Sequence, residues 1–205
     1  MKPEEIETAS FRIIDSEAGP HDWSDAEWQV VRRMIHTSAD FEYSRSTVFS
    51  DNAIEKALEA IRSGCGIVTD TNMALSGISR VKLGRFNNRV SCHVADADVA
   101  ELARQQGITR SIAAMRKAIA DENNRIFVIG NAPTALFELL RLAELGQVKP
   151  ALVVGLPVGF VGAEESKIAL AATKLPIPFI TNMGRKGGSN VAAAVINALA
   201  IQATA

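Results

Sequence analysis

The sequence predicts a mostly parallel α/β sheet with helices on both faces, and three observations predict it. Short apolar runs of strand length alternate with longer amphipathic stretches from residue 66 onward. Three of those runs lead into glycine-bearing loops that open helices, the junction typical of a parallel sheet. The chain has 205 residues, 47% of them hydrophobic, enough to bury one sizeable core. One domain over residues 1–205 is the expectation, with no linker, low-complexity tract or internal repeat to divide it.

The first element is a helix starting at Asp25. In WSDAEW, Ser24 can cap the backbone at Glu27 while Glu27 reaches back, and Trp23 can pack on Trp28 as a staple. The apolar stripe is Trp28, Val31 and Ile35, so Arg33 and His36 are neighbours on another flank near the helix C-terminus. A second helix fits 51–63, with Ile54, Leu58 and Ile61 on one face and Gly64 ending it. Strands then read at GIVTD (66–70), RVSCHV (89–94), RIFVIG (125–130), ALVVG (151–155) and PFIT (178–181). The helices between them are DADVAELARQQ, TRSIAAMRKAIADE, PTALFELLRLAELG and AEESKIALAATK, and a last helix starts near Ser189.

The junction loops are GNAPTA, GLPVGFVGAEES and NMGRKGGSN. Loops of this kind gather at the carboxyl edge of a parallel sheet, where glycine admits close backbone approach and helix N-termini offer free N–H groups to anions. A polyanion pocket is therefore expected there. GRKGGS has neither Walker spacing nor G-x-G-x-x-G, so a nucleotide site has little support. Gly187 and Gly188 could press the backbone against a ligand or only satisfy a turn. On the ligand reading, a side chain at Gly188 obstructs binding and spares the fold.

Net charge is −1, from 22 basic and 23 acidic residues, so no global field would attract nucleic acid or an anionic membrane. The polar start MKPEEIETAS does not read as a signal peptide, no apolar run is long enough to span a bilayer, and a cytoplasmic protein is expected. Cys65 and Cys92 form neither a disulfide framework nor a ligand cluster; His21 and His93 have no partners at ligand spacing, and no metal site is expected. Asp40 and Glu42 could be a hydrolytic dyad or ordinary loop acids. Arg80, Arg110 and Arg185 could be solvated charges or anion contacts. In MIHTSADFEY, His36 is open to two readings, a packed imidazole or an acid–base catalyst. The helix end favours its charged form and Arg33 opposes it, which leaves the balance open.

The segments SFRIIDSEAG, RMIHTSADFEY, TNMALSGISR, ITRSIAAMR, GNAPTALFELL, GLPVGFVGAEESK and GRKGGSNVAAAVINALA, in that order and over nearly the whole chain, resemble the precorrin-8X methylmutase (precorrin isomerase) family. Lys186 stands where family members vary. The resemblance implies a three-layer α/β/α, flavodoxin-like fold with a five-stranded sheet, a homodimer, a place in cobalamin biosynthesis and no cofactor. It implies a reaction that moves a methyl group between adjacent carbons of ring C, converting precorrin-8X or cobalt-precorrin-8 to hydrogenobyrinate or cobyrinate. The family's catalytic histidine falls on His36, which would protonate a ring nitrogen and regain the proton after migration. An imidazole suits that task because its ordinary pKa is about 6.5. The substrate is a tetrapyrrole with many carboxylates. Ser10 matches a substrate-contact position, Arg33 is suited to hold a carboxylate, and Arg80, Arg110, Arg185, Gly187 and Gly188 are further candidates. Two other functions compete: a corrinoid carrier using the same pocket without His36, and a flavodoxin-like nucleotide binder using the glycine loops.

Overall fold

The computed structural model describes residues 3–204. Its elements are α1 (Pro3–Ala18), α2 (Asp25–Ser38), α3 (Tyr43–Ser46), β1 (Thr47–Phe49), α4 (Ala53–Arg62), β2 (Gly66–Thr69), α5 (Asn72–Gly77), α6 (Arg80–Gly84) and β3 (Val90–Cys92). They continue with α7 (Ala97–Gln106), α8 (Arg110–Ala118), β4 (Asn124–Ile129), α9 (Pro133–Glu144), β5 (Leu152–Gly155), α10 (Ala163–Ala171), β6 (Phe179–Asn182) and α11 (Ser189–Ala203).

Strand order is β1-β6-β5-β4-β2-β3. All neighbours from β2 to β6 are parallel. Counted from β2, those five strands have the flavodoxin-like order 2-1-3-4-5, with the topological switch between β2 and β4. The expected five-stranded sheet is corrected to six by β1, which lies antiparallel on β6 with Thr47 opposite Asn182 and Phe49 opposite Ile180. Three residues make too short a run to announce a strand. β1 forms because the outer edge of β6 offers a ladder that would otherwise stay unpaired.

Along β4, Ile126 and Val128 enter the core under α2, α4 and α11, while Phe127 and Ile129 enter the core under α8, α9 and α10. This period-two division puts helices on both faces, as the sequence predicts. Helix α11 is buried along most of its length, from Val191 to Ala203, and its alanines let α2, α4 and α5 pack closely around it. The capping box of α2 is formed: the Glu27 N–H donates to Ser24 Oγ at 3.4 Å and the Ser24 N–H to Glu27 Oε2 at 3.0 Å. The two tryptophans find separate ring partners. Trp23 meets Phe49 edge-on at 5.5 Å, and His21 stacks on Trp28 at 4.0 Å.

Four helices lie outside those the pattern predicts, among them α3, a single turn of four residues. α5 and α6 have six and five residues, below the length at which a helical period shows. α1 carries only a narrow apolar seam, and it is held by tertiary contact, with Ile14 buried and Phe11 packed against the core.

Candidate active site

The chain just beyond α2 reaches the carboxyl edge of the sheet, where Asp40 and Glu42 pair with Lys186 of the loop after β6. His36 and Arg33 sit one turn apart on the outer flank of α2 because Val30, Val31, Met34 and Ile35 are buried. His36 is exposed, and Phe11 meets its ring edge-on at 5.2 Å. The Arg33 guanidinium lies 5.1 Å from the centre of the same Phe11 ring and is paired with Glu7 at 2.6 Å. Beside them Lys82 is held below the usual lysine range, first by burial and then by Arg33, with Glu7 opposing.

His36 and Arg33 line a pocket of about 210 Å³ together with Thr37, Gly77, Asn190 and Asn197. Its wall is fixed from α11: Asn197 accepts the Ser79 N–H at 2.8 Å and donates to the Gly77 carbonyl at 2.8 Å. Gly77 is needed for that closeness, because a Cβ there would lie 2.9 Å from the Ala193 Cβ.

The structure groups some of the candidate residues and separates others. Ser10 is half-buried on α1, one turn after Glu7, and its hydroxyl donates to the Ile6 carbonyl at 2.9 Å. Arg80 is exposed at the start of α6, the helix that also carries Lys82. Arg110 opens α8 and lines a different groove with Glu101 and Arg104, across the sheet from His36. Arg185 is exposed, with its guanidinium 5.6 Å from the Phe160 ring centre and 4.0 Å from Glu164. Asp40 and Glu42 do not face each other as a free dyad: both pair with Lys186, at 2.6 and 2.7 Å, and the Lys186 hydrogen bond holds the Asp40 carboxyl below its ordinary range. His93 pairs with Asp96 at 3.0 Å. Among the described residues no group of three or more His, Cys, Asp or Glu side chains could hold a metal ion.

The glycine loops differ more than their sequences suggest. In the loop after β4, the N–H groups of Gly130, Asn131 and Ala132 all donate to Asp70 at 2.7–3.0 Å. Asp70 is 1% exposed; burial pushes its carboxyl up from the ordinary range, and the three amides oppose the shift. An internal carboxylate thus occupies the amides that a phosphate would take. The loop after β6 is anchored through its backbone carbonyls. Lys167, 0% exposed on α10, donates from Nζ to the Lys186 carbonyl at 2.6 Å and to Asn182 Oδ1 at 3.4 Å. Gly187 has no room for a side chain, since a Cβ would run into the Leu156 carbonyl and lie 2.8 Å from that of Pro157. Gly188 has φ +138°, which L side chains rarely adopt, so a side chain there strains the fold, contrary to the expectation that it would spare it. Asp70 and Lys167 were missed by sequence reading. The one signal for either is a charged residue closing an apolar strand (GIVTD) or set in an alanine-rich helix (AEESKIALAA).

A larger groove, about 750 Å³, is elsewhere. Arg125, Lys149, Pro150 and Pro178 line it where β4, β5 and β6 begin. Ligands of open α/β sheets bind beyond the carboxyl ends of the strands, so the smaller pocket beside His36 is the better candidate despite its size.

Fold and site together define the class: a flavodoxin-like α/β protein with an open imidazole and a group of cations at the ligand-binding edge of its sheet. The pattern of the precorrin-8X methylmutase family matches residues 5–202. The cobalt-precorrin-8 methylmutase of Priestia megaterium is 48% identical, covering 99% of this chain and 89% of that protein. The precorrin-8X methylmutase of Sinorhizobium sp. is 41% identical, covering 93% of this chain and 90% of that one. A crystal structure of precorrin-8X methylmutase from Thermus thermophilus superposes with a TM-score of 0.89 at 44% identity, over 98% of this chain and 96% of the other. The chain belongs to the precorrin-8X methylmutase family, whose members are isomerases of cobalamin biosynthesis.

Proposed function

We propose that this protein isomerises precorrin-8X, or its cobalt-containing counterpart, to hydrogenobyrinate or cobyrinate, with His36 as proton donor and acceptor. His36 gives a proton to a ring nitrogen, the methyl group migrates to the adjacent carbon of ring C, and the proton returns to the imidazole. No atom is gained or lost. The observation that carries the reading is the exposed His36 in one pocket with Arg33, at the carboxyl edge of a chain of this family. Arg33 would exchange Glu7 for a substrate carboxylate, with Lys82 adding to the local positive charge. Ser10, Arg80 and the 183–188 loop, with Arg185, Gly187 and Gly188, are the further substrate contacts in this reading. Arg110, across the sheet, is the most remote of the set.

A pocket of about 210 Å³ is smaller than the roughly 300–1,000 Å³ usual for small-molecule sites. A macrocycle would therefore rest over it, with a second copy of the chain completing the cover. Support for such a homodimer comes from Ile6 and Ile13, 51% and 55% exposed and two turns apart on α1. Sedimentation of the purified protein measures this directly, and a monomer at assay concentration would refute it. Among the described residues no helix is long and apolar enough to cross a membrane, which accords with action in the cytoplasm.

The test is His36→Ala assayed with metal-free and cobalt-containing substrate. Methyl migration should be abolished, while product binding stays within about tenfold, about 1.4 kcal/mol. Near-normal turnover would sink the acid–base role. The carrier reading requires binding without conversion by the unmodified protein. The nucleotide reading is disfavoured by Asp70, which holds the amides of the loop after β4.

A further inference from the structure

Among the described residues one lysine is buried, and the reaction scheme does not use it. Lys167 is 0% exposed, yet its ammonium meets a carbonyl and an amide oxygen where a buried cation is ordinarily expected to meet a carboxylate. Glu164, whose charge opposes the shift, is itself 46% exposed, and burial lowers the lysine to a pKa of about 8. Nothing in the core requires a charge at this place, because α10 reaches its neighbours through Leu170 and Ala163.

What the ammonium does touch is the 183–188 loop. Its bond to the Lys186 carbonyl is 2.6 Å long, and Asn182 Nδ2 donates to the same oxygen at 3.0 Å. Immediately beyond, the Gly188 N–H donates to the Leu156 carbonyl at 2.9 Å, and Asn190 lines the pocket beside His36. The loop also faces α3: the Tyr43 hydroxyl donates to the Gly187 carbonyl at 3.5 Å. A shift in the Lys186 carbonyl is therefore passed along a backbone that ends in the candidate site.

We propose that Lys167 is a positioning residue for substrate binding: its buried ammonium fixes the backbone of the 183–188 loop, and so the end of α11 that borders the His36 pocket. The proposal rests on the reading of that loop as a substrate contact. It has a distinctive thermodynamic consequence. A buried charge without a carboxylate partner costs the fold, and an apolar replacement of similar length removes that cost. The Lys186 carbonyl is not orphaned by the change, since Asn182 still donates to it. Lys167 thus works against stability and for binding.

The experiment is Lys167→Met, with Lys167→Gln alongside in case the first does not fold. Three quantities are measured: melting temperature, amide hydrogen exchange of residues 183–190 without ligand, and the Kd for the product hydrogenobyrinate. The melting temperature should stay level or rise, loop exchange should quicken about tenfold, and Kd should rise about tenfold. A fall in melting temperature with unchanged Kd would make Lys167 a structural residue and overturn the proposal. Unchanged loop exchange would overturn it at the lysine. Faster exchange with unchanged Kd would overturn it at the loop, and would leave the His36 assignment to the activity of His36→Ala, which does not depend on this loop.

Discussion

The loops after β4 and β6 begin alike, each a strand running through glycine into a helix, and they end as opposites. The first turns its amides inward onto Asp70, so its capacity for an anion is spent inside the protein. In the second, a buried cation beneath the chain takes the Lys186 carbonyl, while the Arg185 and Lys186 side chains point to solvent. They meet at the centre of the edge, where a Cβ on Gly130 would lie 2.6 Å from the Ser189 Cα. The comparison teaches that a glycine loop is an anion site only if no acid of the same chain reaches it first.

The most severe way to break the contrast is Asp70→Ala. Three amides lose a charge-assisted partner at a buried position, so stability should fall by on the order of 3 kcal/mol. Denaturant unfolding measures the loss. Inorganic phosphate should then raise the melting temperature of the variant and leave that of the parent unchanged, because only the variant has free amides. A loss below about 1 kcal/mol would mean that water satisfies the loop as well as Asp70 does.

The two adjacent glycines of the second loop should rank by what a Cβ would strike. Gly187→Ala drives a methyl into backbone carbonyls of Leu156 and Pro157, which cannot swing aside, and should cost about 2–3 kcal/mol. Gly188→Ala meets only the movable end of Asn190, and its cost should be the backbone strain of φ +138°, about 1–2 kcal/mol. The reverse ranking by thermal unfolding would show that the loop relaxes away from Leu156.

Much of this fold was legible because its elements announce themselves locally. The capping box at Ser24, the five parallel strands and the helix from Ser189 each depend on residues within a few positions of one another. β1, α5 and α6 depend on partners far along the chain, and no local period could announce them. The site divides in the same way. Arg33 and His36 share a flank because helical spacing puts them there. Glu7 as the partner of Arg33, Asp70 as the plug and Lys167 as the anchor are tertiary facts. Arg110 looked equivalent to Arg80 in sequence, and only the sheet between them tells them apart.

The buried lysine also makes the two loops differ in alkali. Its folded pKa of about 8 is below the ordinary 10.5, so between those values the unfolded chain binds the extra proton and stability rises with pH. The expected gain is on the order of 2 kcal/mol over that window. Burial also raises Cys65 to about 11 and Tyr43 to about 12; both stay neutral in the fold after they ionise in the unfolded chain, so they lower stability as pH rises past their ordinary values. The clean quantity is therefore the difference between parent and Lys167→Met. A flat difference from pH 8 to 10.5 would show that the ammonium is not penalised by burial.

The smallest effect belongs to the outer hold on the same loop, the pairing of Lys186 with Asp40 and Glu42 at 2.6 and 2.7 Å. These groups are at the surface, where each gains little from its partner because water and salt screen it. Lys186→Ala should move the melting temperature by no more than about 2 °C at neutral pH and low salt. The sign in acid follows from Asp40, whose folded pKa lies below the ordinary value: its contribution is present above about 3.9 and is lost as pH falls through the lower folded value. Parent and variant should therefore converge below pH 3.9, and also at high salt. If Lys186→Ala instead lowered stability as much as Asp70→Ala, the loop after β6 would be held from outside as firmly as the loop after β4 is held from within, and the contrast between them would fail.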